Sequence, residues 1–269
     1  MMGLESGDGS LSVYNRERVI IVVAIIIITC VSWVYLFNLS GDMDSMSGFD
    51  SKTGLSRAMP NMVPWGFSDW ISMFVMWFVM MIGMMVPTAS PMILMFSTVN
   101  RQKKAQNQPY VATGVFLSGY VLVWLGFSIG ATVSNWVLHS NTLLSGMMGE
   151  STSNLFGGVL LISAGIFQWT PIKKACLNNC RTPMGFLMTE WKNGSYGAFR
   201  MGLGHGIYCL GCCWLLMALL FVLGVMNLVW IAVLTALILV EKVAPKGDWV
   251  SRITGIGFAV WGIILLFQI

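Results

Sequence analysis

The sequence predicts an all-α, polytopic transmembrane helical bundle of about seven spans, with its N-terminus inside and its C-terminus outside. Three observations predict it. Hydrophobic residues make up 56% of the chain and charged residues only 10%, against about 25% charged in an ordinary soluble domain. Seven apolar stretches reach or approach the roughly 20 residues that a helix needs to cross a bilayer core about 30 Å thick. The basic residues, finally, gather on alternate connecting segments, as retention on the cytoplasmic side requires.

The stretches are residues 19–38, 70–96, 111–137, 155–170, 202–225, 228–244 and 253–268. Each must be a helix, because lipid offers no partner for an unpaired backbone N–H or C=O. The first follows a cytoplasmic segment, residues 1–18. It is too long, and too far from any small-residue cleavage site, for a removed signal peptide, so it is expected to stay as an anchor. An extracytoplasmic Met/Asp loop, 39–69, follows it. The second span carries Pro87 and Pro91, which should kink it or free carbonyls near its inner end. The third contains Gly126-x3-Gly130, a spacing suited to close helix packing. The fourth and seventh are short. Only Gly224-Val225-Met226-Asn227 separates the fifth from the sixth, and this reads as a tight helical hairpin. Residues 19–269 thus form a single transmembrane domain.

With the N-terminus inside, Arg16, Arg18, Arg101, Lys103, Lys104, Lys173, Lys174, Arg181, Lys192, Arg200, Lys242, Lys246 and Arg252 all lie on the cytoplasmic side. Of the 15 basic residues only Lys52 and Arg57 fall outside. The opposite topology would invert nearly every charge. The net charge of +4 therefore reports topology, and no nucleic-acid partner is expected. No nucleotide-binding glycine pattern and no internal repeat is present.

Sulfur carries the functional signal, with 21 methionines and six cysteines. On a helix at about 100° per residue, Met73, Met76, Met80 and Met84 fall within an arc of about 80°, a stripe about 16 Å long. Met81 and Met85 lie beside it. Methionine packs well against neighbouring helices for its own sake, so the stripe reads either as packing or as a row of thioethers for a soft ion. Met43, Met46, Met59 and Met62 precede it in the outer loop, where thioethers suit capture of Cu(I) but also fit an ordinary polar loop. Cys30 lies near the middle of the first span and reads as a packing residue.

The remaining five cysteines gather towards the cytoplasmic side. Cys176 and Cys180 form a C-x3-C after the fourth span. In the fifth, His205, Cys209 and Cys212 stand at i, i+4 and i+7, within an arc of about 60°, with Cys213 displaced to one side. Thiolates plus imidazole are the ligand set for Cu(I), or alternatively Zn(II), and the cytoplasm keeps such thiols reduced. Met84 and Cys212 fall at overlapping depths, so stripe and cluster form one route if their helices are neighbours. His139 reads as solvated at the outer end of the third span, and Glu241 with Lys242 as an interfacial pair that snorkels.

Met76-Trp77, Met80, Met84-Met85-x-Pro87 and Pro91; Gln168-x-Thr170-Pro171-x-Lys173, Ala175-Cys176, Cys180-Arg181 and Pro183; His205-Gly206-x-Tyr208-Cys209-x-Gly211-Cys212-Cys213-Trp214; Gly224-x-Met226-Asn227; and Glu241-Lys242 with Pro245 together resemble the predicted metal-binding integral membrane protein family. This bacterial and archaeal family is often labelled as copper chaperones. The likeness runs from about residue 70 onward. Gly83 stands where the family usually has alanine, and the 69-residue head has no counterpart. The resemblance implies metal handling, with a copper-dependent membrane oxidase or monooxygenase as a client.

The sequence thus points to a Cu(I)-handling protein of the inner (cytoplasmic) membrane, serving uptake or delivery. Its expected partners are the metal ion and the lipid bilayer. Its metal residues would be Met73, Met76, Met80, Met84, Cys176, Cys180, His205, Cys209, Cys212 and Cys213. Two other readings fit parts of the pattern. One is a membrane thiol–disulfide oxidoreductase built on Cys209 and Cys212; the other is a non-catalytic subunit of a membrane complex.

Overall fold

The computed structural model describes residues 6–50, 66–106, 110–141, 153–245 and 247–268. Met59 and Met62 lie outside them, as do the side chains of Met43 and Met46. Every element among these residues is a helix: α1 (Ser6–Asp50), α2 (Phe67–Thr88), α3 (Ser90–Ala105), α4 (Thr113–Ser140), α5 (Asn154–Phe167), α6 (Pro171–Arg181), α7 (Pro183–Glu190), α8 (Gly194–Ala218), α9 (Leu220–Leu223), α10 (Leu228–Val243) and α11 (Gly247–Phe267).

Five helical segments are long and apolar enough to cross a membrane: Arg16–Gly41, Phe67–Thr88, Thr113–Ser140, Gly194–Leu223 and Gly247–Phe267. A sixth arises if α5 and α6, bent by 63° at their junction, count as one broken span. Helix α10, with 16 residues, reaches only about 24 Å at 1.5 Å per residue. The outward faces are apolar, with Val19, Ile27 and Val31 on α1 and Ile253 and Ile264 on α11 all exposed. Such a surface suits lipid rather than water.

The stretch 70–96 is two helices rather than one. α2 carries Pro87 in its last turn, and Pro91 follows at the start of α3. Neither ring nitrogen can donate to the helical ladder, and the chain turns at Ala89. At the other end of the bundle, α9 and α10 meet in the expected hairpin. Gly224 takes a φ of 91°, a left-handed conformation open to glycine at little cost. The Asn227 side chain then caps α10 by accepting from the Trp230 N–H at 3.4 Å.

Apolar helices of this length gain little from water exclusion if they lie in lipid, where close packing has to hold them together. Two interfaces use glycine for this. Between α4 and α8, a Cβ on Gly119 would sit 2.9 Å from the Leu203 nitrogen, and one on Gly202 would meet the Phe116 carbonyl oxygen. Between α5 and α11, Gly158 faces Gly262 and Gly165 faces Gly255, and a Cβ on Gly165 would lie 2.7 Å from the Gly255 oxygen. Gly126 and Gly130, by contrast, have no neighbour within 4 Å of an added Cβ among the described residues. That motif mediates no packing among the described residues. Gly83 holds α2 against Ser32 of α1, whose Cβ would lie 3.0 Å from a Cβ placed there. Cys30 is exposed; it sits on the outward face of α1 rather than packing, because Ser32 and Leu36 take the buried positions.

Candidate metal site

The methionine stripe turns inward. Met76 is 4% exposed, and Met80, Met81, Met84 and Met85 are 0% exposed. Met73, at the start of the stripe, is partly buried, and its sulfur accepts from the Asn135 side-chain amide at 3.5 Å. The row is walled by aromatic rings: Trp77 packs on Phe221 of α9 with centroids 5.0 Å apart, and on Phe127 of α4 at 6.4 Å. The indole nitrogens of Trp77 and Trp124 are buried with no hydrogen-bond partner among the described residues.

At the inner end of the stripe the backbone of Met85 becomes a junction. Its carbonyl oxygen accepts from the Thr88 hydroxyl at 2.9 Å and from the Tyr120 hydroxyl at 3.1 Å. The same Tyr120 hydroxyl lies 3.1 Å from the Cys209 sulfur. The methionine helix α2 and the cysteine helix α8 are therefore linked, through a tyrosine on α4 that stands between them.

Four thiols adjoin at this point. Cys209, Cys212 and Cys213 on α8 are all buried, at 0–2% exposure. Cys180 of α6 reaches across to lie against Cys209 and Cys212, and Cys176 packs its sulfur on Gly211, whose lack of a side chain lets α6 approach. The C-x3-C pair arrives because α6 folds back at Gln168–Pro171. Thr170 caps that helix by accepting from the Lys173 N–H at 3.3 Å, and Pro171 occupies its first turn, the position where a missing N–H costs nothing.

His205 is 2% exposed, wedged among Phe116, Tyr120 and Phe186, and its Nδ1 has no hydrogen-bond partner among the described residues. It lines a cavity of about 180 Å³ together with Cys180, Thr88, Met92, Arg181 and Lys242. The imidazole of His205 and the thiol of Cys180 thus border one space.

The arrangement is contiguous without being a closed coordination shell. Among the described residues, no three His, Cys, Asp or Glu side chains surround a common metal position. The reason is local: the Cys212 and Cys213 sulfurs each turn back to the Cys209 carbonyl oxygen at 3.0 Å, a common resting place for a small polar side chain on a helix. Coordination of one ion by several of these thiols would need them to rotate off that carbonyl.

Two residues expected at the interface are instead in the core. Glu241 is 2% exposed and Lys242 is 8% exposed. They do not snorkel, because each finds an internal partner, the condition under which a charge tolerates burial. Glu241 accepts from Lys173 of α6 at 2.8 Å. Lys242 donates to the Thr88 hydroxyl at 2.9 Å and to the Cys209 sulfur at 3.1 Å. Lys173, counted above among the cytoplasmic loop charges, is 1% exposed and also donates to the Gln168 side chain. Arg181 closes the same face, bonding Asp248 at 2.9 Å and the carbonyls of Ala244 and Pro245 at 2.7 and 2.8 Å. Thr88, Tyr120 and Lys242 are the site residues that sequence patterning missed. A buried lysine one residue from a glutamate looks, in sequence, like any helix-end charge pair.

Comparison with curated proteins and with solved structures returned no match. The family model described as PpoB2, copper chaperone, matches residues 74–265, a stretch that takes in the buried methionines, all five clustered cysteines, His205, Tyr120 and Lys242. The chain therefore belongs to the PpoB2 copper chaperone family.

Proposed function

We propose that this chain handles Cu(I) within the cytoplasmic membrane, passing it along the methionines of α2 to a thiol and imidazole site formed by α6 and α8. The observation that carries this reading is the inward burial of Met76, Met80 and Met84 on a helix that ends at the Cys209 junction. Thioethers bind Cu(I) without deprotonation and release it readily, whereas thiolates hold it. The ligand strength rises along the path. Met73, Met76, Met80 and Met84 serve as the relay. Cys180, Cys209, Cys212 and Cys213 are the retaining ligands, with Cys176 and His205 at their border. Zn(II) is the alternative cargo for the same thiols.

In this reading the chain crosses the bilayer about seven times with its N-terminus inside, α5 and α10 being short crossings, so the thiol end faces the cytoplasm. Copper then moves inward or is retained for a client, a copper-dependent membrane oxidase or monooxygenase.

The test is the metal content of the purified protein after anaerobic Cu(I) loading, for wild type and for Cys209→Ser/Cys212→Ser. Stoichiometric copper in wild type and its loss from a folded double mutant are expected. Equal copper in both proteins, or none in either, refutes the reading. A second reading is favoured by the interaction of Cys180 with Cys209 and Cys212, which joins thiols from two different helices. A thiol–disulfide oxidoreductase predicts a copper-free protein with a rapidly alkylated cysteine at this position.

A further inference from the structure

A lysine is an unexpected guest in a cluster of thiols. Lys242 lies in the last turn of α10, next to Glu241, but the two side chains diverge: Glu241 binds α6, while the ammonium of Lys242 is held by Thr88 of α2 and Cys209 of α8. The sulfur that Lys242 contacts is the one that joins the methionine helix to the cysteine cluster through Tyr120. Lys242 also lines the cavity of about 180 Å³ shared by Cys180 and His205, so there is room beside it for a displaced ammonium.

We propose that the Lys242 ammonium and Cu(I) are alternative cations at the Cys209 sulfur. Copper loads by displacing Lys242 into the neighbouring cavity, and leaves as Lys242 returns. The inference rests on the copper reading above and adds to it the group that competes with the cargo.

The exchange is balanced. The hydrogen bonds from Lys242 to Cys209 and Thr88 break and a copper–sulfur bond forms. Copper stays Cu(I), the ammonium keeps its protons, and with Cys209 as the thiolate no proton or electron is transferred. The chemistry gives each cation its turn. Ammonium is a hydrogen-bonding cation with no special affinity for sulfur, while Cu(I) is soft and prefers thiolate. An arriving copper ion therefore wins. The competitor nonetheless keeps the empty site charge-balanced in a low-dielectric interior and prevents the thiols from becoming a dead end. A chaperone must surrender its ion, and a tethered lysine supplies an internal competitor at fixed high local concentration.

The experiment uses the full chain in detergent, titrated with Cu(I) against a chromophoric chelator under anaerobic, reducing conditions. Wild type, Lys242→Leu, Lys242→Gln and Cys209→Ser are compared, with folding checked by circular dichroism. If Lys242 occupies the sulfur roughly nine-tenths of the time, removing it should tighten apparent affinity about tenfold, with slower release to the chelator. In parallel, footprinting with a small amine-acylating reagent should find Lys242 protected in the empty wild type and reactive in the loaded one. Unchanged or weaker copper affinity in both folded Lys242 variants would overturn the proposal, as would a Lys242 that stays protected at full loading. Failure of the copper reading itself looks different: wild type takes up no copper, or Cys209→Ser binds it as wild type does, and the proposal falls with it.

Discussion

The Lys173–Glu241 pair offers the sharpest quantitative test of how this interior is built. Lys173 is 1% exposed and Glu241 2%, with nitrogen and oxygen 2.8 Å apart. At an effective dielectric constant of about 20 that separation gives an attraction of roughly 6 kcal/mol, against a desolvation cost of several kcal/mol for each ion. The pair therefore nets little by itself, while loss of one member strands the other. Lys173→Met leaves Glu241 buried with neither oxygen paired, since Oε1 already has no partner among the described residues, and should destabilise the protein by about 3–5 kcal/mol. Glu241→Gln should fall at the lower end of that range, because Lys173 keeps its bond to Gln168. The double variant Lys173→Met/Glu241→Gln should return to within about 1 kcal/mol of wild type, as a buried pair replaced by uncharged groups commonly does. Equilibrium unfolding in mixed micelles, followed by circular dichroism, reads all four proteins in one cycle. Single variants within about 1 kcal/mol of wild type, or a double variant as unstable as the sum of the singles, would refute this account. The pair also pins α6, which carries Cys176 and Cys180, so the singles should lose copper retention together with stability while the double regains both.

Gly202→Ala should force α4 away from α8, since its Cβ would meet the Phe116 carbonyl oxygen and backbone cannot yield as a side chain does. The expected cost is about 1–3 kcal/mol or more, read in the same unfolding assay, with Tyr120 drawn off Cys209 and copper affinity reduced; a neutral result would show that the glycine contact is dispensable. Met80→Leu preserves buried volume and should cost under about 1.5 kcal/mol, whereas Met80→Ala should cost about 2–5 kcal/mol. If the relay operates, both should slow copper arrival at the cysteines equally in vesicle uptake; uptake that tracks stability instead would make Met80 a packing residue.

Several features of this protein were decided by sequence alone. A chain with so few charges carries apolar stretches long enough to cross a membrane, and a backbone in lipid satisfies itself as a helix, so composition pointed to the all-helical class. The i, i+4 and i+8 spacing of Met76, Met80 and Met84, and the i, i+4 and i+7 spacing of His205, Cys209 and Cys212, put each set on one helical face regardless of what that face meets. The hairpin at Gly224–Asn227 was marked by length, since the apolar run around it is too long for one span; the left-handed backbone of Gly224 and the Asn227 cap came with the structure.

What those faces meet was a tertiary matter. Periodicity places the methionines in a row but cannot say whether lipid or protein lies opposite, because a thioether is at home in either. The bend between α5 and α6 and the glycine contacts between α4 and α8 depend on which helices are neighbours. Lys173, Glu241 and Lys242 show the limit most clearly. A charge near a helix end satisfies itself by snorkelling when it faces outward, and must find a partner when it faces inward. Only the packing of α10 between α2, α6 and α8 decides which way Lys242 faces, and so brings a lysine to the sulfur of Cys209.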